Sequence, residues 1–109
     1  MASTFKNYTA RAVGTSANNI YNPTTTNIQS TVIGMTIANI VTTPIYVSVF
    51  LSDSISNTYL VKSAIVPVGG ALVPIGGDQK LVLEQNDSIY VVSDTASSAD
   101  VILSALEIT

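Results

Sequence analysis

Apolar and β-branched residues fall in short runs along this chain, separated by glycine, proline, asparagine, aspartate and serine. The last thirty residues show the pattern most plainly. They read Lys80-Leu-Val-Leu-Glu84, a break at Gln85-Asn86-Asp87, Ser88-Ile-Tyr-Val-Val92, a second break over residues 93–99, then Asp100-Val-Ile-Leu-Ser-Ala-Leu-Glu-Ile-Thr109. Runs of this length and composition predict strands, and the residues between them are those that close hairpins. In the final run Val101, Leu103 and Ala105 alternate with Ile102, Ser104 and Leu106, so one face of that strand is expected to be buried. No helical period competes with this reading.

The same logic runs through the rest of the chain. Residues 4–13 alternate loosely and predict a first strand, with Phe5 and Tyr8 as its large side chains. Residues 14–26 (GTSANNIYNPTTT) are polar and of low complexity, with Ile20-Tyr21 as an apolar island. They read either as a surface loop or as an inter-subunit arm that packs one short strand. Residues 28–40 form a β-branched run with Gly34 inside it, the usual mark of a bulge or close backbone approach. A turn over residues 39–44 leads into Ile45-Tyr-Val-Ser-Val-Phe-Leu51, the strongest strand in the chain, and residues 58–66 follow after a polar break.

Pro67-Val-Gly-Gly70 and Pro74-Ile-Gly-Gly-Asp78 then interrupt the pattern. Proline lacks the ladder donor and glycine reaches positive φ, so this segment is expected to cross from one sheet to another. Asn86-Asp87 is a tight-turn signal whose side chains can cap their own turn. Seven or eight strands at about ten-residue spacing predict an all-β, single-domain antiparallel β-sandwich over residues 1–109, jelly-roll or immunoglobulin-like.

Composition alters the picture by what it removes. Hydrophobic residues make up 47% of the 109 and charged ones only 10%, while Ser and Thr together number 26. The solvent side is therefore neutral and hydroxylic, where a soluble monomer normally keeps mixed charge. Neutral strand edges invite neighbours, so a homo-oligomer is expected. The net charge is −3 and the four basic residues (Lys6, Arg11, Lys62, Lys80) are scattered, so no nucleic-acid partner is expected. Cysteine and histidine are absent, which takes away disulfides, thiolate chemistry, the usual general base and the commonest metal ligand. The first six residues lack the pattern of a secretory signal, and no apolar stretch is long enough to span a bilayer as a helix. No membrane partner is expected, and the protein should stay in the cytoplasm until it joins an assembly.

Carboxylates are the remaining candidates for chemistry. Asp78, Glu84 and Asp87 lie within ten residues of one another, but their spacing does not match a calcium loop and each adjoins a turn. No metal, cofactor or catalytic residue is therefore assigned. A glycosidase-like pair needs two acids facing each other across a cleft, which turn-tip acids do not supply. The glycine pairs 69–70 and 76–77 precede strands and lack the lysine and helix of a phosphate loop. Tyr8, Tyr21, Tyr46, Tyr59 and Tyr90 stand one per strand, which favours packing over a sugar- or base-stacking platform.

Pro67-Val-Gly-Gly-Ala-Leu72, Lys80-Leu-Val-Leu-Glu84, Asp87-Ser-Ile-Tyr-Val91 and Asp100-Val-Ile-Leu-Ser-Ala-Leu-Glu-Ile108 occur in that order. Over about residues 31–109 the chain resembles small virion structural proteins of tailed bacteriophages, especially marine phages of cyanobacteria. The resemblance implies a non-enzymatic β-sandwich subunit, made in the host cytoplasm and built into the virion in many copies. Capsid decoration, against the major capsid protein, is the first expectation. A neck, tail or baseplate component is the alternative, and a module binding host-surface glycan or protein is a reading of a different kind.

Overall fold

The β-branched runs become strands in the computed structural model, which describes residues 3–22, 29–76, 80–84 and 86–108. In chain order they are β1 (Ser3–Val13), β2 (Asn18–Tyr21), β3 (Gln29–Asn39), β4 (Ile45–Ser52), β5 (Asn57–Val66), β6 (Ala71–Ile75), β7 (Leu81–Leu83), β8 (Ser88–Ser93) and β9 (Ala99–Ile108). No helix occurs among the described residues. One sheet, here called A, has the order β1-β9-β3-β6, with β7 also on β3; the other, B, has the order β2-β8-β4-β5. All ladders are antiparallel.

β6 and β7 follow one another along the same edge of β3. Ala71 opposes Ala38 and Ile75 opposes Met35; after the interruption Leu81 opposes Val32 and Leu83 opposes Ser30. They act as one broken strand. Counted so, eight strands in two sheets, with every connection crossing between the sheets except β4 to β5, define a jelly roll. β6 is the element missing from the sequence-based count, because Pro74 and the flanking glycines read there as pure punctuation. An edge strand tolerates proline, whose missing N–H can face away from the ladder.

The strand-to-strand turns carry a second difference from expectation. The breaks before and after Ser88–Ser93 do not close hairpins: β7 and β9 belong to sheet A and β8 to sheet B. Turn residues dictate a reversal of the chain, while the choice between staying in a sheet and crossing to the other depends on distant pairing. Among the described residues, only β4 and β5 are both consecutive in sequence and paired. The crossing expected at Pro67–Gly70 is present, from β5 to β6. Gly70 N–H donates to Pro67 O at 2.9 Å and Gly69 sits at φ 73, where a side chain would be strained. Asp87 also acts as expected, its carboxylate accepting Glu84 N–H at 2.9 Å.

The core lies between the sheets and is built from alternate residues. Val101, Leu103 and Ala105 of β9 are 0–1% exposed, and so are Val32, Met35 and Ile37 of β3. A register shift between Val32 and Gly34, the bulge that Gly34 signalled, lets both Val32 and Met35 face inward. Ile45, Val47 and Val49 of β4 and Ile89 and Val91 of β8 meet them from sheet B. Each such side chain contributes about 1.5–3 kcal/mol by leaving water. Buried Asn39 ties the β3–β4 crossing, its amide donating to Thr43 O (2.9 Å) and Val66 O (3.0 Å) while its oxygen accepts Val41 N–H. Ile20 and Tyr21 are buried in β2, so residues 18–21 belong to the sandwich itself; residues 23–26 of the polar stretch lie outside the described residues.

Candidate functional site

At one end of the core the inward rows turn polar. Glu107 continues the row of Val101, Leu103 and Ala105 on β9, and Ser30 lies directly opposite it on β3. Tyr21 reaches over from sheet B, and Tyr8 comes from β1 on the far side of β9. The Tyr8 hydroxyl donates to Glu107 Oε2 at 2.5 Å and the Tyr21 hydroxyl donates to the same oxygen at 2.6 Å. Tyr21 Oη and Ser30 Oγ are 2.6 Å apart, and the two rings pack with centroids 4.4 Å apart. One carboxylate oxygen thus ties β1, β2 and β9 together and joins both sheets.

Electrostatics fix the protonation states. Burial, then the hydrogen bond and charge of Glu107, push the Tyr8 phenol up to about 12. Burial and then the same carboxylate push Tyr21 up as well. Burial acts to raise Glu107, but the hydrogen bonds from Tyr21 and Tyr8, with Lys6 nearby, outweigh it and hold the carboxyl below its ordinary value. Near neutral pH the acid is ionised and both phenols are protonated. Both phenol protons are held in short hydrogen bonds to the one carboxylate, so the group works as a lock.

Four other acids, Asp53, Asp87, Asp94 and Asp100, serve backbone amides. Asp53 accepts Ile55 N–H (3.0 Å) and Ser56 N–H (2.8 Å), bonds that hold its carboxyl below the usual range. Asp94 accepts Tyr46 N–H at 3.0 Å and Asp100 accepts Ala12 N–H at 3.0 Å. Of the three acids close in sequence, Glu84 and Asp87 share one turn and Asp78 lies outside the described residues. No group of three potential metal ligands occurs among the described residues. Glu107 is the acid that attention to turns missed. Extending the inward parity of Val101, Leu103 and Ala105 by one step would have found it.

Four of the five tyrosines divide into two sets; the fifth, Tyr46 of β4, lies opposite Ile65 and is 47% exposed. Tyr8 and Tyr21 form the lock. Tyr90, Phe50 and Tyr59 line up across β8, β4 and β5 on the outer face of sheet B, with Asn19 of β2 at the end of the row. Their position on separate strands, which favoured separate packing roles in the sequence, is what places them side by side once the strands pair. Phe50 and Tyr90 stack with planes 5° apart and centroids at 5.2 Å, and Phe50 and Tyr59 lie at 5.3 Å. Lys62 Nζ sits 5.2 Å from the Tyr59 centroid. The ring faces are thus turned on one another and on a cation, and Phe50 is buried.

The outer face of sheet A is different. Phe5, Leu106, Thr31 and Val82 form a row across β1, β9, β3 and β7, with Phe5 74% and Val82 63% exposed. Ile102, flanked by Thr9 and Thr36, is 54% exposed. None of these residues carries charge. β1 pairs with β9 alone among the described residues, so its second edge is open.

No protein-family model and no curated protein matches the chain. Among solved structures it is similar to a chain of a Bacillus endospore appendage, one of a family of disulfide-linked pili. That likeness covers 99% of this chain and 87% of the other, at 16% sequence identity and a TM-score of 0.59. It is a likeness of fold.

Proposed function

We propose that this chain is a structural subunit that acts in many copies and does no chemistry of its own. The observation that carries this reading is the outer face of sheet A, an uncharged, largely apolar row open to solvent beside an edge of β1 that no described strand pairs. Exposed apolar surface of this kind marks contact with another protein. Several side chains that could do chemistry are committed elsewhere, Asp53, Asp87, Asp94 and Asp100 to backbone amides and Tyr8 and Tyr21 to Glu107.

The assembly we favour is a phage virion, as the sequence resemblance implies, with decoration of the capsid first and a neck, tail or baseplate position second. The pilus chain of similar fold supports the same idea of repetition. Its disulfide linkage does not carry over, since this chain has no cysteine, and copies here would cohere by packing and strand ladders. A glycan-binding role draws less support, because Phe50 is buried and stacked on Tyr90 while Lys62 lies over Tyr59.

Light scattering at micromolar concentration should give trimers or larger species, and Phe5→Lys combined with Val82→Lys should dissolve them. A protein that stays monomeric and does not bind purified particles overturns the structural reading. Quantitative mass spectrometry of virions separates the positions. A copy number in the hundreds supports decoration, a few dozen or fewer moves the chain to the neck, tail or baseplate, and absence rejects the virion.

A further inference from the structure

We infer that β1 is an exchangeable strand, which leaves its own sandwich and docks along β9 of a second copy of this chain. The inference rests on the multi-copy reading and supplies the joint it needs. The occupant of the β9 edge is already visible: Ser3 to Ala10 pair without a break against Ile108 to Val101. A second copy offers the same edge, so exchange preserves the ladder, with Tyr8 of one chain completing the Tyr21–Glu107 lock of the other.

Three features make β1 able to leave. Its share of the core is small: Ser3 to Asn7 are exposed, Tyr8 and Ala10 are half-buried, and only Val13, at its far end, is buried. β9 stays seated against β3 when β1 is gone, so opening does not dismantle the sandwich. The strand also has a hinge. The register breaks between Ala10 and Val13, Ala12 is held at φ 54, and Gly14 follows. A left-handed alanine is strained, and an extended connection to a neighbour relieves it. The vacated β9 edge in turn exposes a row of unpaired backbone groups, for which a strand of the right sequence is the natural partner.

The absence of cysteine makes a direct test possible. Asn7 and Ser104 oppose each other across the β1–β9 ladder, and so do Thr9 and Ile102. Asn7→Cys with Ser104→Cys, oxidised after assembly and run on a non-reducing denaturing gel, should give covalent dimers or longer ladders, with Asn7→Cys alone as the control. Thr9→Cys with Ile102→Cys repeats the test on the opposing pair two residues along. Bonds that form only within single chains, in a sample that light scattering shows to be assembled, overturn the exchange and leave the structural reading standing. A sample that never assembles overturns the structural reading, and the exchange with it. Ala12→Gly should lower the exchanged fraction about fivefold, since glycine accepts the closed hinge without strain. An unchanged or larger fraction contradicts the hinge.

Discussion

β9 and β1 lie side by side in sheet A, ten and eleven residues long, joined by the longest unbroken register among the described residues. They could hardly contribute more differently. β9 has β1 on one flank, β3 on the other and sheet B beneath it, and its alternate residues are fully buried. β1 has one flank open, and Thr4 and Lys6, which share the inward parity of Tyr8, are exposed. Hydrogen bonding makes a strand, but what lies against its flanks and inner face decides what it adds to stability.

The largest test of that contrast is truncation. A chain ending at Leu103 loses the outer half of the central strand and should be insoluble or unfolded; an unchanged melting temperature would erase the distinction between the two strands. Leu103→Ala, at a site with no exposure, should cost about 2–5 kcal/mol in chemical denaturation. Tyr21→Phe removes a buried hydroxyl shared by Ser30 and Glu107 and should cost about 1–3 kcal/mol. Tyr8→Phe, on the half-buried strand, should cost less.

The lock also predicts a pH dependence. Glu107 has its carboxyl lowered in the folded state, so its stabilisation is full above the ordinary glutamate value of 4.5 and is lost as pH falls through the lower folded value. Tyr8 is raised from 10 to about 12, so its contribution is full below pH 10 and disappears as pH climbs toward 12. Stability measured from pH 2 to 6 should therefore drop at the acid end, and the drop should be smaller in Glu107→Gln. Parallel curves would remove Glu107 from the account. Smallest of all, Phe5→Ser should leave the stability of the single subunit within about 0.5 kcal/mol. A large loss would show that β1 is anchored by more than its ladder.

Local chemistry was legible in the sequence. The β-branched runs are strands, Gly34 marks a bulge, Pro67–Gly70 crosses between sheets and Asp87 caps its turn. What escaped depends on pairing between distant residues. The alternation around Leu103 cannot say which strands flank it, so jelly roll and immunoglobulin-like order stayed undivided. The Tyr90–Phe50–Tyr59 row needs the register of three strands. The lock needs Tyr8 and Glu107, ninety-nine residues apart, to meet.

That separation has a consequence in time. Ser3 pairs with Ile108, and among the described residues every ladder except β4–β5 joins strands that are not consecutive in the chain. Such a fold has a high contact order, and domains of this kind cross their barrier in milliseconds to seconds, where local hairpins form in about 1–10 microseconds. Sheet A cannot close until residues 99–108 have been synthesised and have threaded between β1 and β3. Until then those two strands present bare edges. Expression temperature and rate, more than the equilibrium stability of the finished sandwich, should therefore govern how much of this protein reaches its native state.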